Sequence, residues 1–255
     1  MSDAAAGDGF ADHFSGHASA YAEHRPRYPA SLYQVLSGLL SGPKQRVLDC
    51  ACGNGQASVG LSRYFESVEA TDASALQIAN AEARPNIRYR CAPAERSGLN
   101  DNSVDMVCVA QALHWFDHPR FFAEASRVLR PEGVLACWAY ELCSVNSEID
   151  GIVMRLYDDI LGAYWPPERA YIENQYSNIG FPLPLLDVPE ISMVEEWSAD
   201  NMLGYFGTWS ALQRCNKATG RDALIEIASE LKSAWGSGLR SVCWPLLILA
   251  WRKPG

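Results

Sequence analysis

The sequence lacks the features of membrane, secreted and nucleic-acid-binding proteins. No uninterrupted apolar run reaches the roughly 18 residues that a transmembrane helix needs. The first residues, MSDAAAGDGFADHF, contain neither the basic nor the apolar segment of a secretory signal. The chain has 21 basic and 30 acidic side chains, a formal net charge of −9, whereas phosphate backbones are bound chiefly by lysine and arginine. We therefore expect a cytoplasmic protein that binds neither membranes nor nucleic acids.

Metal-binding spacings are absent as well. The eight cysteines include the C-x-C pair Cys50 and Cys52 but no C-x-x-C pair, and no H-x3–5-H follows. Most of the other cysteines lie in apolar stretches such as VDMVCVA. His114 and His118 are four residues apart, but a turn is predicted between them. We expect small buried thiols in a reducing compartment and no bound metal.

Strands and helices alternate regularly in the first part of the chain. The pattern predicts five strands, at residues 46–51, 67–73, 87–93, 104–112 and 134–140. The fourth is almost entirely apolar, as in a sheet that is covered on both faces. Such alternation predicts a parallel, doubly wound sheet. Two further strands are predicted at 191–197 and 241–253, and Pro245 favours a sheet edge or a bulge in the last one.

The sharpest motif is VLDCACGNGQ, residues 47–56. Asp49 ends a predicted strand, and Ala51, Gly53 and Gly55 follow at alternate positions before a predicted helix. Glycine allows a tight turn and lets a ligand approach the backbone without a clash with Cβ. Open α/β sheets bind ligands at the carboxyl ends of their strands. The motif therefore predicts a ligand-binding loop.

Two classes of ligand use such a loop. A dinucleotide, and with it a nicotinamide-dependent oxidoreductase, requires G-x-G-x-x-G with the helix N-terminus facing a pyrophosphate. Here Ser58 stands where the third glycine belongs, and Asp49 would place an anion close to the pyrophosphate. An acid at that position suits a ligand with an ammonium or sulfonium group better.

Polar residues follow the next three strands. A carboxylate at Asp72, which ends the second strand, is able to accept both hydroxyls of a ribose. Ala73 is small enough to let an adenine lie flat, and Ala94-Glu95 follows the third strand. The fourth strand runs into QALHWF, which begins at Gln111.

Taken in order, these segments resemble the class I S-adenosylmethionine-dependent methyltransferases, and most of all the small-molecule branch that includes trans-aconitate methyltransferase. The matching segments are YAEHRPRYP, VLDCACGNG, TDAS, APAE, VDMVCVAQALHWFD, LRPEGVLACWAY, YFGTWSAL and the terminal strand. The resemblance implies an α/β, Rossmann-like fold with a seven-stranded, doubly wound sheet, its last strand antiparallel, and a helical insertion over the carboxyl edge. Ala51 departs from the family, which usually has a glycine there. We expect only altered packing from it, provided that its φ is negative.

The resemblance also implies roles for the loop and the acids. The backbone of Ala51, Cys52, Gly53 and Gly55 would hold the methionine moiety and one face of the ribose. Asp49 would orient the loop or the amino group.

Other motif residues would complete the S-adenosylmethionine site, which becomes a site for S-adenosylhomocysteine after transfer. Asp72 would bind the ribose diol, while Ala73, Ala94 and Glu95 would frame the adenine. Gln111 and Ala112 would lie under the amino acid and the sulfonium. Tyr21 and Arg25 would close over the cofactor, and Arg25 is a candidate partner for its carboxylate.

The domain organisation follows from the same resemblance. We predict N-terminal helices that cover the cofactor (1–45), a methyltransferase core (46–142 and 188–255) and a helical substrate lid (143–187 with 198–220).

Methyl transfer from a sulfonium is an in-line displacement, so the protein mainly aligns the acceptor and excludes water. A carboxylate acceptor needs no general base, whereas a phenol, an amine or a carbon acid can require one. His114 is the candidate base, because an ordinary histidine pKa is about 6.5. The alternative role for His114 is a hydrogen-bonded wall of the pocket. The candidate substrate-cavity residues are Trp115, Tyr140, Tyr205 and Trp209.

The acceptor is predicted to be a small molecule. The fourth strand ends in QALH rather than the [DN]PP[YF] of enzymes that methylate amino groups of DNA and glutamine, and no Pro-Cys pair of the cytosine C5 enzymes occurs. A carboxylate-bearing acceptor is the first hypothesis, with Arg25, Arg27, Arg155 and Arg169 as candidate anion partners. We expect a monomer or a weak homodimer. A nicotinamide oxidoreductase and a non-catalytic partner subunit remain as alternatives.

Overall fold

The computed structural model describes residues 24–180 and 185–255. The strands of this part of the chain are β1 (Arg46–Cys50), β2 (Ser67–Asp72), β3 (Ile87–Cys91), β4 (Val104–Ala110), β5 (Leu129–Tyr140), β6 (Ile191–Trp197) and β7 (Arg240–Arg252). Its α-helices are α1 (Ala30–Gly38), α2 (Gln56–Leu61), α3 (Ala75–Ala79), α4 (His118–Val128), α5 (Ser147–Met154), α6 (Arg169–Glu173), α7 (Ala199–Gly207), α8 (Ser210–Thr219) and α9 (Ile225–Trp235). Two short 3₁₀ turns, Leu113–Trp115 and Gly162–Tyr164, and a π-helical turn, Arg155–Ile160, complete the elements.

The strands form one sheet in the order β3-β2-β1-β4-β5-β7-β6. Strands β1 to β5 pair in parallel, and β7 runs antiparallel to both β5 and β6. The predicted seven-stranded, doubly wound sheet with an antiparallel last strand is confirmed. Strand order reverses between β1 and β4, so the carboxyl ends of these two strands border the crevice in which open α/β sheets bind ligands.

The sheet edge expected from Pro245 is not found, because β7 lies between β5 and β6, and Pro245 pairs with Ser192 in an unbroken register. On the other side of β7, the pairs Tyr140–Leu246 and Ser144–Cys243 differ by one residue in register, which agrees with the bulge alternative. The last pair between β7 and β5 is Leu246 with Tyr140. Pro245 therefore lies one residue beyond the ladder to β5. A residue without an amide hydrogen is tolerated where a ladder has already ended.

Each face of the sheet buries its own apolar core. One core contains α1, α2 and a large share of the helices that follow β5 and β6. The other contains α4 together with Ile172 and Tyr176. Strand β4 is buried along almost its whole length, as expected for a strand that is covered on both faces. The predicted helical insertion consists of α5 to α6, between β5 and β6, and α7 to α9, between β6 and β7.

The predicted N-terminal unit is only partly described, since the structure begins at residue 24. Its helix α1 packs against α2, and the ring of Tyr33 lies so close to Gly60 that a Cβ there would overlap it. In residues 24–180 and 185–255, no helix has the length and apolarity needed to cross a membrane.

Candidate active site

The loop between β1 and α2 turns through left-handed backbone conformations. The φ angles of Ala51, Gly53 and Gly55 are +55°, +55° and +87°. The negative φ expected for Ala51 is therefore wrong. Because the chain reverses direction within five residues, every second residue takes a left-handed conformation, which strains a residue that carries a Cβ.

The amides of this loop are used inside the protein. Cys52 N donates to Thr71 O at 2.9 Å, Gly53 N to Asp72 Oδ2 at 2.8 Å, and Gly55 N to Cys52 O at 2.9 Å. A dinucleotide loop instead offers such amides to the pyrophosphate. These three loop amides are therefore already paired within the protein and do not form an anion hole.

Asp49 lies beneath the loop and is completely buried. Its Oδ2 accepts a short hydrogen bond from Ser58 Oγ in the first turn of α2. Burial raises the pKa of Asp49 to about 7, and the nearby Asp72 carboxylate adds to the rise, while the hydrogen bonds from Ser58 oppose it. The side chain has no contact with solvent and is hydrogen-bonded to α2, and both roles predicted for Asp49 stay predictions.

The remaining predicted cofactor residues lie at the carboxyl ends of β2 and β3. Asp72 is nearly buried, and its Oδ1 accepts from Ser74 N at 2.8 Å, while Ala73 follows it directly. Beyond β3, Ala94 is nearly buried, and Glu95 Oε1 accepts from Asp117 N at 3.0 Å. Both carboxylates are thereby fixed in place, and their roles toward a cofactor remain predictions.

The loop has room for a ligand on one side only. A Cβ built on Gly53 would meet no atom within 4 Å, whereas one on Gly55 would lie 2.3 Å from Tyr89 Oη. Gly55 therefore packs against the protein, and Gly53 faces open space. Asp72 is hydrogen-bonded to Gly53 N at the edge of this space. The residues present therefore fit a nucleoside that carries an amino acid substituent.

A cavity of about 80 Å³ lies at the carboxyl ends of β4 and β5, beneath the helical insertion. All four predicted substrate residues, Trp115, Tyr140, Tyr205 and Trp209, line it. The structure thus brings the four side chains together around one cavity, as the prediction requires. Their contact with a substrate stays a prediction.

Gln111 joins the ends of β4 and β5 at the floor of this cavity. Its φ is +53°, its Nε2 donates to Tyr140 O at 3.1 Å, and its Oε1 accepts from Tyr140 N at 2.9 Å. The amide thus mimics a backbone pair and fixes the Tyr140 backbone at the end of β5. Ala112, the next residue, is nearly buried.

Arg25 closes the cavity from the N-terminal side. Its Nη1 donates to Tyr140 Oη at 3.0 Å and its Nη2 to Thr208 O at 3.3 Å. Its guanidinium carbon lies 5.3 Å from the centre of the Tyr205 ring. Arg25 therefore links the sheet to α7. The predicted partner Tyr21 lies outside the described residues.

His114 lines the same cavity, in the 3₁₀ turn after β4. Its Nδ1 lies 3.0 Å from Tyr176 Oη. Burial, together with the charges of Arg169 and His118, lowers the pKa of His114 to about 3. The imidazole is therefore neutral near pH 7, and a group with so low a pKa is a weak base. Within the residues the structure describes, no set of three or more His, Cys, Asp or Glu is arranged to hold a metal ion.

Sequence reasoning missed two aromatic residues of the far wall, Tyr157 and Trp165. Their rings lie 4.7 Å apart, and the ring of Trp209 lies 5.4 Å from that of Trp165. Tyr157 belongs to the π-helical turn that follows α5, and such turns are frequent at functional sites. For Trp165, the sequence signal is the abundance of proline and aromatic residues in YWPPERAY, which does not specify the face that each ring occupies. Tyr157 lies outside this segment.

Comparison with known proteins identifies the family. A Dictyostelium discoideum protein that is named as a methyltransferase is 34% identical to this chain over 252 residues, which cover 96% of each chain. A structure described as a type II methyltransferase from Anaeromyxobacter dehalogenans is 45% identical, covers 91% of this chain and 99% of its own, and superposes with a TM-score of 0.85. Trans-aconitate 2-methyltransferase of Deinococcus radiodurans is 38% identical over 101 residues, 37% of each chain.

The family model described as a methyltransferase domain matches residues 48–137, which run from β1 to β5 and include the loop, Asp72 and Gln111. The resemblance drawn from the motifs is confirmed. The likeness to the Dictyostelium protein extends this assignment from residues 48–137 to nearly the whole chain. The protein belongs to the S-adenosylmethionine-dependent methyltransferases.

Proposed function

We propose that the protein transfers the methyl group of S-adenosylmethionine to a small-molecule acceptor that carries a carboxylate. The observation that carries this proposal is the cavity beneath the lid, in which Arg25 and Arg169 stand among aromatic side chains. The likeness over 101 residues to a trans-aconitate 2-methyltransferase supports the same class of acceptor.

The cofactor would bind along the carboxyl ends of β1, β2 and β4. Ala51, Cys52, Gly53 and Gly55 would hold its methionine part, and Asp72 its ribose hydroxyls. Ala73, Ala94 and Glu95 would frame the adenine, with Gln111, Ala112, Tyr21 and Arg25 around the reacting end. When bound, the sulfonium supplies an already activated methyl group.

The work left to the protein is alignment and the exclusion of water. Gln111 fixes the Tyr140 backbone at the end of β5, and Arg25 Nη1 donates to the Tyr140 hydroxyl. The rings of Tyr205 and Trp209 lie 5.7 Å apart and close the cavity from the side of α7 and α8. A carboxylate is ionised at neutral pH and needs no proton removed, which agrees with the weak basicity of His114.

The proposed division of the chain follows these roles. Residues 1–45 would cover the cofactor, 46–142 and 188–255 would form the core, and 143–187 with 198–220 would form the substrate lid. We place the protein in the cytoplasm as a monomer or weak homodimer that binds no nucleic acid. Free cysteines, most of them buried, support a reducing compartment.

Two alternatives from the sequence are less well supported. A nicotinamide oxidoreductase would need loop amides for a pyrophosphate, and those of Cys52, Gly53 and Gly55 are used within the protein. A non-catalytic partner subunit would bind the cofactor without turnover, which the experiment below distinguishes.

The test is a calorimetric titration of the purified protein with S-adenosylmethionine and S-adenosylhomocysteine, in the wild type and in Asp72→Ala. We expect binding in the wild type and a loss of at least about 100-fold in the variant, since Asp72 Oδ2 also accepts from Gly53 N in the loop. Asp200→Ala, in which an exposed carboxylate pairs with Lys232, is the matched control and should bind normally.

Carboxylic acids and phenols are then screened for methyl uptake. Methyl esters formed from acids support the proposal, and transfer only to phenols overturns the choice of acceptor. Failure of both ligands to bind the wild type overturns the methyltransferase function itself. Binding without transfer to any acceptor favours the partner subunit.

A further inference from the structure

Arg169 is a cavity residue whose hydrogen-bond donors are only partly used by the described residues. It stands at the start of α6, lines the cavity and is 16% exposed. Its Nε donates to Tyr157 Oη at 2.9 Å. Among residues 24–180 and 185–255, none accepts a hydrogen bond from its two terminal nitrogens. Both nitrogens therefore have donors left for a ligand.

The other candidate arginines are used differently. Arg25 donates through both of its terminal nitrogens, to Tyr140 and to Thr208. Arg155 forms an ion pair with Glu230 and is 40% exposed. Arg27 is exposed. Of the four, Arg169 alone combines enclosure in the cavity with terminal nitrogens that donate to no described residue.

The surroundings of Arg169 hold the guanidinium in one orientation. Its carbon lies 5.4 Å from the centre of the Tyr157 ring and 5.1 Å from that of Trp165. Tyr157 Oη accepts from Nε and donates in turn to Glu173, one turn further along α6. The two ring centres are themselves only 4.7 Å apart, so the guanidinium packs beside this ring pair rather than between the rings. Its two terminal nitrogens suit the two parallel hydrogen bonds of a planar oxyanion.

The local charge favours a singly charged group. Glu173 Oε1 lies 3.8 Å from Arg169 Nε, and the exposed Glu141 also borders the cavity. These carboxylates offset part of the positive potential, so a doubly charged phosphate would be disfavoured relative to a carboxylate.

His114 stands on the same cavity wall, and its Nε2 has no hydrogen bond to the described part of the chain. If Tyr176 donates to Nδ1, the neutral ring carries its proton on Nε2. That proton then provides one more donor beside Arg169.

From this geometry we propose that Arg169 is the residue that binds a carboxylate of the methyl acceptor, with Tyr157 and Glu173 as positioning residues and His114 as a second donor. The inference rests on the proposed function and deepens it, because it names the residue that selects an acid over its neutral analogue. His114 serves here as a donor rather than as a base.

The test measures binding of small mono-, di- and tricarboxylic acids, each paired with its carboxamide, to protein saturated with S-adenosylhomocysteine. Phosphorylated analogues form a third arm. The variants are Arg169→Gln, Arg169→Lys and Tyr157→Phe, which removes the hydroxyl and keeps the ring. Arg221→Gln is the matched control, because Arg221 is an exposed arginine that does not line the cavity. Affinity for S-adenosylhomocysteine in each variant reports whether the fold is intact.

We expect the wild type to bind acids and not their amides. Arg169→Gln should weaken acid binding by roughly 10- to 100-fold, and Arg169→Lys by about tenfold, since lysine keeps the charge but not the fork. Tyr157→Phe should cost about fivefold. For an acid that is turned over, KM should rise in these variants much more than kcat falls.

Three results overturn the inference while leaving the methyltransferase function standing. They are binding of S-adenosylhomocysteine without binding of any acid, equal binding of acids and amides, and unchanged acid binding in Arg169→Gln. Preference for the phosphorylated arm overturns the carboxylate. Absence of S-adenosylhomocysteine binding points to failure of the proposed function instead.

Discussion

The glycine loop (residues 51–55) and the lid wall, which is the side of the cavity formed by Tyr157, Trp165, Arg169 and Trp209, contribute to the site in different ways. The loop contributes its backbone, and the lid wall contributes side chains. The shape of the loop 51–55 is set by its backbone. Ala51, Gly53 and Gly55 have left-handed φ angles. The amides of Cys52, Gly53 and Gly55 donate hydrogen bonds within the protein. On the lid wall the work is done by side chains whose residues are far apart in sequence. A backbone site requires particular residues at fixed spacing, whereas a side-chain site requires only that rings and charges converge.

The two regions are nevertheless joined by packing. One apolar cluster runs from β5 through Tyr140 to Tyr157, Tyr205 and Trp209. The lid therefore shares its core with one face of the sheet. We expect the loop and the lid to differ in ligand specificity and to unfold together.

The largest effect should come from Trp209→Ala in the lid. Trp209 is 4% exposed, and its ring lies between 4.7 and 6.0 Å from those of Phe206, Trp165, Tyr205 and Tyr157. Truncation of a buried tryptophan lowers the free energy of unfolding by about 3–5 kcal/mol. Urea unfolding should remain a single transition, because the apolar cluster is continuous, and affinity for S-adenosylhomocysteine should change little.

The matched control for this change is Trp251→Ala in β7, which is equally well buried, at 1% exposed, but belongs to the core on the other face of the sheet. It should cost about the same stability and leave acceptor KM unaltered in the folded fraction. Two separate unfolding transitions in Trp209→Ala would contradict the shared core.

A smaller effect, which depends on pH, should come from Asp49→Asn beneath the loop. Burial raises the pKa of Asp49 from its ordinary 3.8 to about 7. Between these values the folded state holds a proton that the unfolded state has released, so this group lowers stability as pH rises. Asparagine does not ionise, and its stability relative to the wild type should therefore rise by about 2–3 kcal/mol between pH 5 and 8.

Urea unfolding at several pH values measures this difference. Asp200→Asn, at a carboxylate that is 79% exposed, is measured in parallel as the control for the loss of a surface charge. Parallel curves for Asp49→Asn and the wild type would show that Asp49 is ionised in the folded protein.

The same contrast between backbone and side chains explains what the sequence could predict. The strands were predictable from the regular alternation of strand and helix patterns. The loop was predictable because Gly53 and Gly55 occupy positions where a left-handed φ excludes most residues. The four substrate residues were found through the family motifs that contain them. The left-handed φ of Ala51 was not predicted, since alanine gives no signal of the conformation that the turn imposes.

The far wall could not be predicted for a different reason. Tyr157 points into the cavity because the chain winds into a π-helical turn after Met154, and one extra residue per turn changes which side chain faces inward. The contact of Arg169 with Tyr157 likewise depends on how α6 packs across that turn. Composition suggested an aromatic cavity, but only the packing selects the members.

The smallest effect should come from Ala51→Gly, which restores the usual family residue of the loop. A left-handed alanine costs about 1–2 kcal/mol relative to its preferred conformation, and glycine removes that strain. Glycine also makes the unfolded chain more flexible, which offsets about 0.4–1 kcal/mol of the gain. We therefore expect the free energy of unfolding to rise by about 0.5–1 kcal/mol, with affinity for S-adenosylhomocysteine unchanged. Ala228→Gly, the same change at a half-buried position in the interior of α9, should instead lose about 1 kcal/mol. If both variants were destabilised equally, the strain at Ala51 would be relieved by the surrounding packing, and the loop would owe less to its backbone than the comparison with the lid implies.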